Sequence, residues 1–377
     1  MARVRVYRDF SEAVWEWRHL GVPEGALGRL DLVTRQFFYI DGVSREEAAP
    51  MIGSIVQKGG RGFFCKGERV LIAIAPLSLE GMMMDGPIEL AEKLMLAFGR
   101  RSQDEPPRFA WSGGSLDLSK PRVMGILNVT PDSFSDGGKH LDEEAAVERA
   151  GQMKAEGADI IDIGGESTRP GSLPTSAEEE WTRIAPVVRR VSQEVGLPVS
   201  VDTRRPEVAK KALAAGAVIV NDISGLEERM AEVVRDAGAG AVIMHMRGEP
   251  QTMQKDTRYA DVVGDTYAFL EKRVEAAVSI GISRERLAVD PGLGFGKDLD
   301  GNLQIVSRLD EYRSLGRPVL IGASRKSFLG REANERLEGS LAAAAVACWQ
   351  GVNMFRVHDV KETVRTLQAV QAMKGKR

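Results

Sequence analysis

From residue 123 to the C-terminus the sequence repeats one pattern, a short apolar or β-branched run followed by an amphipathic stretch with helical spacing. "VMGILN" leads to "LDEEAAVERAGQMKAEG", "DIIDIG" to "AEEEWTRIAPVVRRVSQEVG", and "PVSVD" to "PEVAKKALAAG". "AVIVND", "GAVIMH", "RLAVDPG", "PVLIGAS" and "VNMFRVH" continue the series, with helical segments such as 261–280 and 359–372 between and after them. Eight strands, each followed by a helix, predict an α/β fold of the (β/α)8 TIM-barrel type. No Gly-x-Gly-x-x-Gly turn follows the first strand, which argues against an open dinucleotide-binding sheet. The units share a period but not residues, so a solenoid is excluded.

A chain of 377 residues has more sequence than this barrel needs. Residues 1–105 read as a small α/β domain, with "VRVYRDF", "TRQFFYI" and "RVLIAIA" as strands and "SREEAAPMIGSIVQKG" and "GPIELAEKLMLAFGRR" as helices. No catalytic pattern stands out there. Residues 106–120, with Gly-Gly and polar residues after a Pro pair, read as a linker, and 121–377 as the barrel. A net charge of -3 with acids and bases interspersed offers no basic face for nucleic acid and no polybasic run for a membrane surface. The start "MARVRVYRDF" lacks the apolar centre of a signal peptide, and "RVLIAIAPLSL" is too short to span a bilayer. Cys65 and Cys348 match no metal or redox spacing. The expectation is a soluble protein of a reducing cytoplasm, its cysteines packed as small apolar groups.

In such a barrel the working face is formed by the C-terminal ends of the strands. Those ends are polar in turn: Asn128, then "GGESTRPGS", Asp202, Asn221 with Asp222, Met244 with His245, Asp290, "GASRKS", and Arg356 with His358. A single rim carboxylate could cap the next helix; so many caps would have to coincide at one mouth. Buried carboxylates and amides need donors. A flat heterocycle with an amino-pyrimidinone edge offers paired N–H groups to Asp202 and Asp290, a mixed edge to Asn221, and a ring acceptor to Lys326. Thr168, Arg169, Lys326, Arg356 and His358 could surround an anion, and Asn128 carries a hard oxygen suited to Mg2+ shared with phosphates. A diphosphate fits both. For His358, packing or capping is an equal reading, and His245 is read as a packing or orienting residue. "DPGLGFGK" places three glycines within five positions, which permits close backbone approach, although loops of this composition are common.

The segments "MGILNVTPDSFSDGG", "IIDIGGESTRPGS", "VSVDT", "VNDISG", "IMHMRGEPQTMQ", "DPGLGFGK", "IGASRKSFLG" and "FRVHDV" occur in order, and from about residue 121 to about 372 the chain resembles the dihydropteroate synthases of folate biosynthesis. The resemblance implies a barrel enzyme that joins 4-aminobenzoate to 6-hydroxymethyl-7,8-dihydropterin diphosphate with Mg2+ present, a sulfonamide target and a homodimer. It assigns the pterin pocket to Asp202, Asn221, Ile223, Met244, Asp290, Gly322 and Lys326. Asn128, Arg356 and His358 fall on the diphosphate and metal side, and Thr168, Arg169 and Pro170 on a second mobile loop. Phe295 and Ser327 fall beside the aminobenzoate. The run after Asn128 becomes a lid bearing Asp132 and Asp136, with Asp136 a catalytic group together with Lys326, Arg356 and His358. Leu293 departs from the aromatic that many members carry, and residues 1–110 lie outside the resemblance. Two other readings remain to be weighed: a pterin-binding methyltransferase and a non-catalytic pterin-binding protein.

Overall fold

The computed structural model describes residues 3–7, 36–57, 60–65, 68–74, 92–94, 97, 107–129, 139–166, 175–330 and 336–375. Two compact units result: Met1–Glu105 together with Asp310–Gly316, and Pro106–Leu309 together with Arg317–Arg377. The first contains an antiparallel sheet of β1 (Arg3–Tyr7), β2 (Gln36–Asp41), β3 (Arg61–Cys65) and β4 (Arg69–Ile74) in the order β1-β2-β4-β3. Helix α1 (Arg45–Gln57) buries Ala48, Met51, Ile52 and Ile55 in a core with Phe38, Ile40, Val70 and Ile72. Strand β3 has no counterpart in the sequence reading, because "RGFFC" is short and glycine-flanked. Most of the helix expected from "GPIELAEKLMLAFGRR" lies outside the described residues.

The second unit holds the barrel strands β7 (Arg122–Asn128), β8 (Ile160–Gly164), β9 (Val199–Asp202), β10 (Ile219–Asp222), β11 (Gly240–Met244), β12 (Leu287–Asp290), β13 (Leu320–Ile321) and β14 (Met354–Val357). They form one parallel sheet in the order β12-β11-β10-β9-β8-β7-β14-β13. A parallel bridge between Val289 and Val319 brings its two edges together, completing the expected (β/α)8 barrel. Strands β8 and β11 are buried at every position, as parallel strands covered on both faces must be. The helices between and after them are α2 (Lys139–Glu156), α3 (Ala177–Glu194), α4 (Pro206–Ala214), α5 (Glu228–Ala237), α6 (Val262–Ser279), α7 (Leu299–Ser307), α8 (Arg336–Trp349) and α9 (Val360–Lys374). Local chemistry sets their ends: Ser176 and Glu179 form a capping box before α3, and Gly238 ends α5 in the left-handed conformation. Among the described residues no helix is long and apolar enough to cross a membrane.

The segment 106–120 is not a plain linker. It contains a β-hairpin, β5 (Arg108–Trp111) paired with β6 (Gly114–Asp117), turning through Ser112 and Gly113, whose φ of +86° suits glycine. Phe109 and Leu118 are buried in one cluster with Met124, Ile160, Ile219, Val242, Ala288, Leu320 and Met354, residues from the beginnings of the barrel strands. The hairpin thus closes the N-terminal end of the barrel, opposite the strand tips that carry the polar groups. Ser112 N–H donates to the Gly238 carbonyl at 2.7 Å, fixing the hairpin to the end of α5. The alternation of Phe109, Trp111, Leu116 and Leu118 was legible, but the Pro and Gly pairs suggested a break instead.

Phe109 is fully buried, with its ring 6.4 Å from that of Trp111 in an edge-on arrangement. Phe109→Ala is expected to lower the stability of the barrel by about 3–5 kcal/mol, read as a lower urea midpoint in Trp fluorescence. An unchanged midpoint would show that the hairpin is not the floor of the barrel.

Candidate active site

The strand register places Asn128 opposite Gly164, Gly164 opposite Asp202, and Asp202 opposite Asn221. These residues form one level at the C-terminal mouth. Gly164 lies between them: a Cβ there would sit 3.6 Å from Asp202 Oδ2 and 3.7 Å from Asn128 Oδ1, at ordinary contact distance from both polar groups.

Arg356, from β14, reaches this level from across the barrel. Its Nε donates to Asp162 Oδ2 at 2.6 Å and its Nη2 to Asp202 Oδ2 at 2.5 Å. Asn221 Nδ2 donates to the same Asp162 oxygen at 3.0 Å. Asp162 is wholly buried, and its Oδ1 has no hydrogen-bond partner among the described residues. One carboxylate therefore orients both the guanidinium and the amide. Burial alone would draw the Arg356 pKa down; Asp162 and Asp202 together hold it above its ordinary range. Burial pushes Asp202 up to about 7 against the pull of Arg356, with Asp162 and Glu180 adding like charge. Asp162 was missing from the sequence reading. Its signal was a carboxylate in the middle of the apolar run "DIIDIG".

The other side of the mouth is built by the glycine loop after β12. Asp290 Oδ1 accepts the Gly292 N–H at 2.7 Å, and burial raises its pKa to about 6. Gly292 has a φ of +72°, and a Cβ there would lie 2.0 Å from the His245 carbonyl oxygen, so no other residue fits. This contact turns the loop so that Phe295 joins Ile223, Met244 and Met253 in an apolar cluster, with Met246 packed against it. Lys326 Nζ stands 4.1 Å from the centre of the Phe295 ring, a cation–π contact. Burial and the neighbouring Arg356 lower the Lys326 pKa to about 8, while Asp290 and Asp202 oppose them. Leu293 is buried and turned inward.

His358 differs from the cationic role given to it above. Burial, Arg356 and Arg325 lower its pKa to about 4, so the ring is neutral near pH 7. Ser324 Oγ accepts the His358 backbone N–H at 3.1 Å and lies 3.1 Å from Nδ1. When the Ser324 hydroxyl donates to Nδ1, Nε2 carries the ring proton and the imidazole is a neutral donor. His245 is a packing residue, edge-on to Phe269 at 4.9 Å, with its pKa lowered by burial to about 2. Asp222 turns away from any ligand: it accepts Ser224 N–H at 2.8 Å, Ser224 Oγ–H at 2.6 Å and Leu226 N–H at 2.9 Å, shaping its own loop. Gly322 follows β13 with its Cα toward Arg356, and Ser327 is exposed, directly after Lys326.

Thr168, Arg169 and Pro170, like Asp132 and Asp136, lie outside the described residues. The stems on either side of residues 167–174 are joined by a network the sequence did not disclose. Arg205 forks onto Glu166 with two bonds of 2.8 Å and bonds Glu180 at 2.6 Å and the Thr175 carbonyl, while Thr175 N–H donates to Glu166 at 3.2 Å. No group of three His, Cys, Asp or Glu side chains able to hold a metal occurs among the described residues. Asn128 offers one amide oxygen at the mouth, which suits an ion that arrives with its own phosphate and water ligands.

A family model described as pterin binding enzyme matches residues 124–358. The dihydropteroate synthase of Escherichia coli strain K12 is 48% identical over 265 residues, which cover 69% of this chain and 94% of that protein. The chain belongs to the dihydropteroate synthase family. The Yersinia pestis dihydropteroate synthase, solved with a sulfonamide drug complex, is 43% identical, with a TM-score of 0.67 over 71% of this chain and 99% of its own. That of Xanthomonas albilineans, solved with 4-aminobenzoic acid, is 45% identical, with a TM-score of 0.67 over 71% and 98%. The same enzyme has also been solved in complex with 7,8-dihydropteroate. The family model does not reach the N-terminal residues of the chain, Met1–Glu105.

Arg356→Met is expected to cost roughly 3 kcal/mol of stability, because it strands Asp162 and Asp202 without their cation. Adding Asp162→Asn should return at least half of that loss in denaturant unfolding. A double variant no more stable than the single one would show that the pair is not what holds this level together.

Proposed function

We propose that this chain is a working dihydropteroate synthase, joining 6-hydroxymethyl-7,8-dihydropterin diphosphate to 4-aminobenzoate and releasing pyrophosphate. The observation that carries the reading is the convergence of Asn221 and Arg356 on one buried carboxylate, Asp162, with Arg356 also bonded to Asp202, at the strand ends that Asp290 and Lys326 share. Asp202 and Asp290 accept from the N–H groups of the amino-pyrimidinone edge, and Asn221 reads the neighbouring mixed edge. Lys326 donates to a ring acceptor, and its charge offsets the carboxylates below it. Ile223 and Met244 supply apolar walls for the pterin, and Phe295 of the same cluster borders the aminobenzoate.

The reaction is a dissociative displacement. Electrons from the pterin ring loosen the bond between the methylene carbon and the diphosphate oxygen, and that bond breaks with its electron pair leaving on pyrophosphate. The guanidinium of Arg356 and the Nε2–H of His358 stabilise the departing negative charge. The neutral amine of 4-aminobenzoate then attacks the methylene carbon and gives its proton to solvent. Mg2+ accompanies the diphosphate, with Asn128 as the donor the protein offers, and when bound it spreads the charge of the leaving group. A sulfonamide would occupy the aminobenzoate side, by likeness to the Yersinia pestis complex.

A homodimer through the last helices completes the proposal. Leu299, Leu303, Val346 and Met373 are exposed on α7, α8 and α9, apolar surface that a second copy would cover. A cytoplasmic setting agrees with two free cysteines, Cys348 buried and Cys65 half-buried.

Sustained pyrophosphate release from the pterin diphosphate, in step with dihydropteroate formation, should require added 4-aminobenzoate; a methyltransferase or a non-catalytic binder releases none. Binding needs Asp202 and Asp290 ionised, which holds above about pH 7 and about pH 6, and Lys326 protonated, which holds below about pH 8. kcat/KM for the pterin diphosphate should therefore fall on both sides of that window. In Lys326→Arg the cation persists at high pH, and the alkaline limb should move out of range. An alkaline limb left in place would remove Lys326 from the pocket.

A further inference from the structure

One buried ionisable side chain has no part in the chemistry above. Lys297 ends the glycine loop and is 2% exposed, so its amine does not face a ligand at the mouth. Its Nζ donates to the carbonyl oxygens of Gly292 at 2.9 Å, Phe295 at 3.0 Å and His245 at 3.4 Å, and lies 3.0 Å from His245 Nδ1. Three carbonyls turned toward one point repel one another unless a donor sits among them, and a neutral His245 ring supplies an acceptor rather than a competing charge. The acceptors come from two successive strand-end loops, so a single amine ties the turn after β11 to the turn after β12; burial lowers its pKa to about 7 against the pull of Asp290, and it donates N–H in either protonation state. Asn302 of α7 holds the same loop from its other face. Its Oδ1 accepts the Gly294 N–H at 2.7 Å, and its Nδ2 donates to the Lys297 carbonyl at 3.1 Å and the Asp298 carbonyl at 2.6 Å. Phe295 lies between these two ties.

The geometry points to Lys297 as a positioning residue whose amine, donating to three carbonyls, sets the curve of residues 292–297 and so places the Phe295 ring against Lys326 and the aminobenzoate. This rests on the reading above, in which Phe295 borders the aminobenzoate. Lys326, partly buried, and Lys297, fully buried, then have separate duties at the same mouth. Lys326 meets substrate; Lys297 meets only backbone carbonyls and His245. Misplacing a wall of the second-substrate site should weaken capture of 4-aminobenzoate while leaving the pterin edge contacts of Asp202 and Asn221 intact.

The test compares the wild-type chain, Lys297→Met and Asn302→Ala in steady-state turnover, with pterin diphosphate affinity measured separately by titration calorimetry. Lys297→Met, which keeps the length of the side chain and removes the N–H donor, should raise KM for 4-aminobenzoate about 10-fold or more with pterin Kd within about two-fold of wild type. Asn302→Ala should show the same split in smaller degree, and it stands in for Lys297→Met if that variant fails to fold. An unchanged aminobenzoate KM, or equal rises in aminobenzoate KM and pterin Kd, would overturn the positioning role. A wild-type chain that forms no dihydropteroate would instead remove the functional reading, and this inference with it.

Discussion

The barrel mouth depends on one cation shared between two buried carboxylates. Asp162 and Asp202 come from adjacent strands of a parallel sheet, and neither could stay ionised so close to the other in an apolar interior without a partner. Arg356 supplies that partner, and its delocalised charge and forked geometry let it serve both oxygens at once. Everything else at this level follows. Asn221 is oriented because Asp162 already has a fixed place, Gly164 sits between Asn128 and Asp202, and Arg356 holds one Asp202 oxygen against the upward push of burial.

The opposite wall reaches the same end by different means. Asp290, Lys326 and the glycine loop do not form a tight ion pair; they are placed by backbone conformation. Gly292 brings the loop against the His245 carbonyl, and Lys297 and Asn302 then hold its curve. One wall is thus organised by charge and the other by chain geometry. That division suits a reaction with two substrates, in which a ring edge must be read accurately while a second molecule approaches from the loop side. The neutral His358, held by Ser324, fits the same logic: it offers a donor to a leaving anion without adding a further buried charge.

Much of this was legible in the sequence because strand tips in a barrel announce themselves. An apolar run that stops at Asp202, Asn221 or Asp290 marks both the element boundary and the polar group, and the helices carry their own end signals. The resemblance in motif order then named a family that the comparisons confirm. Three features were not legible. Asp162 sits mid-strand and gains meaning only from Arg356, 194 residues away in the chain, a pairing that no local spacing can express. Lys297 looked like the ordinary end of a glycine-rich loop, since its partners are carbonyl oxygens that every residue has. The hairpin at 108–117 was hidden because its Pro and Gly pairs signal a break while its alternating apolar residues signal a strand, and only the open lower end of the barrel decides between them.

A structure of the chain with a bound pterin tests the central claim most directly. The account predicts the amino-pyrimidinone edge within hydrogen-bond distance of Asp202, Asn221 and Asp290, with the Lys326 ammonium on the ring and Arg356 still joined to Asp162. A pterin bound with that edge toward solvent, or at another place on the barrel, would contradict it.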